Sequence, residues 1–308
     1  MKRLIVLAAA LLSSVLFAQN PPPQQQPDND PPFVKQARQL MHDGKLDEAL
    51  GIFENELKSS PDSQDALLGA GVVLDLELKG ADARKYFQKA IDGAKDDEQR
   101  ADANRAMAMS WAFESNCQMS GAYEQKVLDY AKAKNDFFRA GEIADEAGRV
   151  CMDSNDVERA MLWYEEGHKL GLKEPNIKPE RKDLWDFRLE NAEARAASHL
   201  TDDDDPMKHI AAAKGILDRG TNPQQAQFLP SLQGYVAFYT SDYKAALAFL
   251  QQANQNDPFI QCLLAMTYEK LGDNEHAMEF YKKAATATNH NPAAAFAVPK
   301  AKKKIAAK

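Results

Sequence analysis

The 308 residues contain three cysteines, six histidines and only 8% aromatic residues. No histidine stands three or four positions from another, so no helical pair of imidazoles is available to hold a metal. Gly69-Ala70-Gly71 is the nearest thing to a phosphate-cradling loop. It follows no strand and lies inside a helical pattern, so Gly71 reads as a contact residue instead. No segment alternates as a strand does, and no serine occupies a strand–turn–helix context. Carboxylates are spread over exposed helix faces, where they carry no information about acid–base work. Together these absences argue against an enzyme, a bound metal and a cofactor. Apolar runs are equally scarce. The longest, Leu4–Ala18, has 15 residues, short of the roughly 20 that span a bilayer.

That run follows Lys2-Arg3 and precedes Gln19-Asn20-Pro21, the pattern of a secretory signal over residues 1–18. Leu16 stands where a small residue is usual near the cleavage point, so an uncleaved anchor is the alternative. The expected location is outside the cytoplasm, in a bacterial periplasm or beyond it. Removing Lys2 and Arg3 takes the net charge from −8 to −10, a balance that disfavours nucleic acid as partner. Residues 19–32 (QNPPPQQQPDNDPP) are rich in proline and glutamine and read as an extended linker.

The rest of the chain is organised by repetition. In Tyr268–Ala284 a Gly272-Asp273 break separates two helical patterns, with Asn274 placed to cap the second. Ala277, Tyr281 and Ala284 then recur on one face. The same small–large–small seam appears as Ala49, Phe53 and Leu57, as Ala83, Phe87 and Ala90 after a Lys79-Gly80 turn, as Ala160, Tyr164 and Gly167, and as Ala246, Leu250 and Ala253. Twelve residues before each seam alanine stands another small residue: Ala37, Gly71, Gly148, Gly234 and Ala265. Small residues at paired places let two antiparallel helix backbones approach closely. One such hairpin buries too little surface to stand alone, so copies must stack.

This unit resembles the tetratricopeptide repeat, a helix–turn–helix of 34 residues, and Ala49 and Ala83 stand 34 positions apart. The resemblance implies an all-α solenoid of about six to seven hairpins in a right-handed superhelix, with first helices lining the concave wall. It also implies a protein or peptide partner on that wall. The expected division is an N-terminal array over 33–171, a connecting segment over 172–182, a C-terminal array over 183–288, and a capping helix with a lysine-rich tail over 289–308. Pro299 is expected to end the cap, leaving a frayed tail with five lysines. Membrane contact is expected only through that tail or an uncleaved signal.

On the wall, the pattern turns Phe228, Ser231, Tyr235, Phe238, Tyr239, Phe259 and Met266 inward, with Asp183, Asp186, Glu190 and Glu193 as an acidic shoulder. Such a groove suits an apolar segment carrying basic residues. The alternative, that half of these rings are core, comes from the same pattern, because a one-position register error turns a helix by about 100°. Thr201 to Pro206 (TDDDDP) invites a cation between His199 and His209, but it lacks the alternation of a calcium loop. Asp205 before Pro206 reads as a helix cap. Cys117 and Cys151, each placed at the end of a first helix, are either bridged or apart, since neighbouring axes lie about 8–10 Å apart and a disulfide needs Cα atoms within about 7 Å. Cys262 reads as a buried small hydrophobe. The function expected is a non-catalytic scaffold or adaptor of the cell envelope. The alternatives are an assembly factor at the outer membrane or peptidoglycan and, more remotely, a hydrolytic or metal-dependent enzyme.

Overall fold

The computed structural model describes residues 30–200 and 205–307. The signal segment, residues 19–29 of the linker, and Asp202, Asp203 and Asp204 lie outside the described residues. Within them the chain is helical, with no strand. Seven hairpins follow one another: α1 (Pro32–His42) with α2 (Leu46–Ser59), α3 (Gln64–Leu76) with α4 (Gly80–Asp92), α5 (Asp97–Phe113) with α6 (Cys117–Ala133), α7 (Phe137–Asp153) with α8 (Val157–Gly171), α9 (Pro179–His199) with α10 (Pro206–Leu217), α11 (Leu229–Tyr239) with α12 (Tyr243–Leu250), and α13 (Pro258–Lys270) with α14 (Asn274–Ala284). A last helix, α15, runs Pro292–Ala306.

One turn recurs in six of the seven hairpins. Gly44, Leu78, Ser115, Asn155, Ser241 and Gly272 take φ between 55° and 83°, the left-handed region that stops a helix. In five of these turns the next N–H closes the end: Lys45 donates to Leu40 O, Lys79 to Leu74 O, Asn116 to Trp111 O, Asp156 to Cys151 O and Asp273 to Tyr268 O. The residue making that bond then starts the second helix. Asn116, Asp156, Asp242 and Asp273 accept N–H bonds on their side chains as N-caps, satisfying donors that an open helix end leaves bare. Two expectations shift by one or two places as a result. Asp273, not Asn274, caps α14, and the second turn is carried by Leu78, with Gly80 already helical.

The seam residues Ala49, Phe53, Ala83, Phe87, Ala160, Tyr164, Ala246, Ala277 and Tyr281 are all buried. Their first-helix partners are small because a large ring faces them. A methyl on Gly71 would lie 2.3 Å from the Phe87 ring, and one on Gly148 would lie 2.9 Å from Tyr164.

Between α8 and α9 the chain runs through residues 172–178, and α9 starts at Pro179 rather than at Asp183. Trp185 of α9 fills the gap against α7 and α8. Added methyls would meet its ring at 2.0 Å from Gly171 and 2.6 Å from Gly141. Cys117 and Cys151 are joined as a disulfide with Cα atoms 4.7 Å apart. The two are not at equivalent helix ends: Cys117 opens α6, because Asn116 caps it, and Cys151 sits in the last turn of α7. Antiparallel neighbours place a first residue beside a last one, which is closer than the axis spacing suggests.

The C-terminus departs most from expectation. Pro299 does not end α15; the helix continues to Ala306. Proline removes one helical donor, and burial of Ala293–Val298 and Ala301 outweighs that loss. On one side Ala294, Ala295 and Val298 pack with Val73, Leu76, Met109, Phe113 and Val150. On the other, Ala293, Phe296, Ala297 and Ala301 pack with Phe259, Ile260 and Leu263. The helix therefore lies against the first helices α3, α5, α7 and α13, and against α14, the second helix of the last hairpin. Its tail is bonded rather than frayed: Lys302 Nζ donates to Leu76 O at 2.6 Å, and Lys304 meets Glu269 at 2.5 Å.

Candidate partner-binding surface

The resemblance implies an inner wall of first helices, and the structure places the residues predicted to line it in three groups. Tyr235, Phe259 and Phe238 are 0%, 2% and 7% exposed, so they are core and not groove. Phe238 stands four residues after Gly234, on the face that packs on α12, where it meets Tyr243 at a centroid distance of 5.7 Å. Tyr235 and Phe259 stack at 6.1 Å across α11 and α13, and Phe296 of α15 closes over Phe259 at 4.7 Å. Phe228, Tyr239 and Met266 are half-buried, and Ser231 is buried.

These rings form a layer under two buried guanidinium groups. Arg195 lies 4.3 Å over Tyr235, and Arg149 lies 4.3 Å over Phe259, both within cation–π range. Tyr235 Oη and His199 Nε2 are hydrogen-bonded at 2.7 Å, and the imidazole lies tilted on Tyr239 with ring centroids 4.0 Å apart. Burial pushes the Tyr235 phenol well above its ordinary value and the Tyr239 phenol up to about 12. Burial, and then Arg195, hold the His199 imidazole below its usual range. The layer is thus neutral in its phenols and cationic in its guanidiniums at neutral pH, which suits a structural seam between hairpins.

The acidic shoulder is divided. Asp183 is buried and bonded to Arg219 at 2.5 Å and Thr221 at 2.7 Å. Asp186, half-buried, meets His168 Nε2 at 2.9 Å. Glu190 meets His209 Nδ1 at 2.9 Å, and Glu193 meets the same atom at 3.1 Å. His199, expected near the acidic run, instead bonds Asn155 and Tyr235. Asp205 caps α10, accepting from Met207 N at 2.9 Å. A cleft of about 450 Å³ opens beside this shoulder, lined by His168, Asp186, Glu190 and Arg219 among others.

The residue that sequence reasoning missed most clearly is His290, just before α15. Its ring stacks on Phe113 at 5.4 Å, and its Nε2 meets Asp75 Oδ2 at 2.9 Å. Asp75 also accepts from Ser110 Oγ at 2.8 Å. A signal was present: Ala293–Val298 is apolar at every position, more than a one-sided cap requires. Buried acids were missed as well. Burial raises Glu142 to about 8 and Asp145 to about 7, with Arg188 opposing in both cases. Glu124 is raised by burial and then by Glu146, which itself pairs with Arg105 at 2.6 Å.

Tetratricopeptide-repeat family models match residues 34–99 and 260–291. No curated protein matches the sequence. Among solved structures, a tetratricopeptide repeat protein from Parabacteroides merdae ATCC 43184 aligns at 11% identity over 82% of this chain and 90% of its own, with a TM-score of 0.47. The Cut9–Hcn1 hetero-tetramer of the APC/C aligns at 17% identity over 87% of this chain and 48% of its own, with a TM-score of 0.44. Repeats of this kind mediate protein–protein interaction and are typically non-catalytic. Residues 34–99 and 260–291 therefore carry tetratricopeptide repeats, and the hairpins between them repeat the same helix–turn–helix form.

Proposed function

We propose that this chain is an exported, non-catalytic scaffold of the cell envelope whose inner wall takes up a helical segment of a protein partner. One observation carries the choice of surface. The wall already holds a helix, α15, through Ala294, Ala295 and Val298 on one side and Phe296 on the other. A partner helix with small apolar residues, one aromatic anchor and a basic end has the same chemistry. Helix-in-groove recognition reads such anchors at three- and four-residue spacing. Export is supported by Lys2-Arg3 with the apolar run Leu4–Ala18, and by the Cys117–Cys151 bond, since disulfides persist in oxidising compartments. No described helix is long and apolar enough to cross a membrane. An assembly factor held to anionic lipid by its lysine tail is the weaker reading, because Lys302 and Lys304 are engaged within the molecule.

The test loosens α15 without removing it. His290→Ala with Lys302→Ala deletes the contacts to Asp75 and Leu76, and circular dichroism checks folding. Crosslinking in the native envelope should then capture a partner more strongly in the variant than in the wild type. Excess synthetic peptide spanning 289–307 should compete, and the crosslinks should map to α3, α5 and α7. Equal capture that the peptide does not affect would move the partner off the inner wall. Absence of any captured partner in both would remove the scaffold reading itself.

A further inference from the structure

The half-exposed shoulder beyond the inner wall holds a group that the scaffold reading does not use. Glu190 and Glu193 stand three residues apart on α9, which puts both carboxylates on one face. α10 begins soon after, fixed by the Asp205 cap and by Pro206 in its first turn. That start places His209 opposite the two acids, where it is 7% exposed. Its Nδ1 lies 2.9 Å from Glu190 Oε2 and 3.1 Å from Glu193 Oε2. One donor atom from each of the three residues falls within 4.8 Å of both others.

Two features separate this group from an ordinary surface ion pair. Two carboxylates converge on one imidazole, which supplies at most a single positive charge, so the cluster keeps net negative charge in either protonation state. Its donor spacing also fits a cation. A tetrahedral zinc ion with bonds of about 2.0–2.1 Å needs donors about 3.3 Å apart. The two measured separations lie close to that edge, so small side-chain rotations suffice. Mixed imidazole and carboxylate ligands suit first-row divalent ions more than magnesium or calcium, which take oxygen alone.

We propose that Glu190, Glu193 and His209 form a binding site for a divalent first-row transition ion of the zinc class. Three protein ligands leave at least one coordination position open. Glu190 also lines the 450 Å³ cleft that carries His168, Asp186 and Arg219, so the open position is reached by water or by a donor atom from a partner docked there. The site joins α9 to α10 and would tie the fifth hairpin together. It is independent of whether α15 is displaced.

Cobalt(II) is the probe, because its visible absorption reports a low-symmetry site and zinc displaces it. The full chain, stripped with chelator, should take up one equivalent of cobalt with a visible band that one equivalent of zinc abolishes. His209→Asn should lose the band, and Glu193→Gln should weaken uptake at least tenfold. His276→Asn, which alters the exposed pair with Asp273 on α14, should leave uptake unchanged. Circular dichroism on each variant checks folding; if His209→Asn unfolds, Glu190→Gln decides by the same band. Failure of the folded wild type to bind one equivalent would overturn the site. So would an unchanged band in a folded His209→Asn or Glu190→Gln chain.

Discussion

The outer hairpins and the middle of this array are held together by different means. At the ends, α1–α4 and α13–α14 are 11 to 14 residues long and pack by small residues against rings, as Gly71 does on Phe87. Those are the stretches that the family models match. In the middle, α5, α6 and α7 have 17 residues and α9 has 21. There the packing relies on Trp185 lodged against two glycines, on a disulfide, and on carboxylates buried with Arg105 and Arg188. Repeat pattern therefore records how adjacent helices close on each other. It does not record how a longer, irregular unit fills the extra space.

Trp185→Ala is the largest test of this contrast. Truncating a fully buried tryptophan costs about 3–5 kcal/mol, and Trp185 touches elements on both sides of the α8–α9 junction. Hydrogen exchange should show residues 137–199 losing protection together. Phe53→Ala at the N-terminal end should cost a similar amount but open only α1, α2 and the start of α3. If Phe53→Ala also releases the middle, α15 couples the whole array and the two regions are one cooperative unit. Stacked repeats that touch only their neighbours lack such coupling. Here α15 links the last hairpin to the second, third and fourth.

The acids of the two regions should respond to pH with opposite signs. At the ends, Lys85 holds Asp82 below its usual range, Lys283 does the same to Glu279, and Lys304 to Glu269. Groups depressed in the folded state add stability that is present above their unfolded values and lost on acidification. In the middle, burial raises Glu142 to about 8 and Asp145 to about 7. The folded chain keeps protons there that the unfolded chain releases near 4, so this contribution is full in acid and lost as pH rises from about 4 to 8. Each such group adds a slope of up to about 1.4 kcal/mol per pH unit inside its window. Denaturation midpoints should fall between pH 5 and pH 8, and Glu142→Gln should flatten the fall. An unchanged slope in that variant would mean that Arg188 keeps the carboxylate ionised in the fold.

How much of this was legible in the sequence follows the same division. The seams were readable because alanine, glycine and one ring recur at fixed spacing, and Asp205 with Pro206 was readable as a helix start. Each needs only local information. The inner-wall rings were not readable, because the covering of Phe259 depends on Phe296, a residue two helices further on. Phe238 was misplaced for a simpler reason: Gly234 already marked the face toward α12, and a step of four residues keeps that face. The cysteine pair could be named, but its helices could not, since the cap at Asn116 decides which helix Cys117 joins. The convergence of Glu190, Glu193 and His209 needed the angle at which α10 leaves α9. The sequence set His209 with His199 and the aspartate run, not with the two glutamates.

The smallest test concerns the turns. Gly44 and Gly272 carry the left-handed position at the two ends, while Ser115 and Asn155 carry it in the middle. Leu78 breaks that order: it holds φ of 64° in an end hairpin with its side chain 44% exposed. A left-handed leucine costs about 1–2 kcal/mol in backbone strain, and its half-exposed side chain returns little burial. Glycine relieves the strain but loses about 0.5–1 kcal/mol through a freer unfolded chain. Leu78→Gly should therefore stabilise the protein by about 0.5–1 kcal/mol, read as a higher denaturant midpoint with an unchanged slope. Asn155→Gly in the middle should not stabilise, because asparagine already tolerates this conformation and its side chain bonds His199 at 3.2 Å. A destabilised Leu78→Gly would show that the leucine is held by contacts beyond its own hairpin, which outweigh the backbone strain it carries.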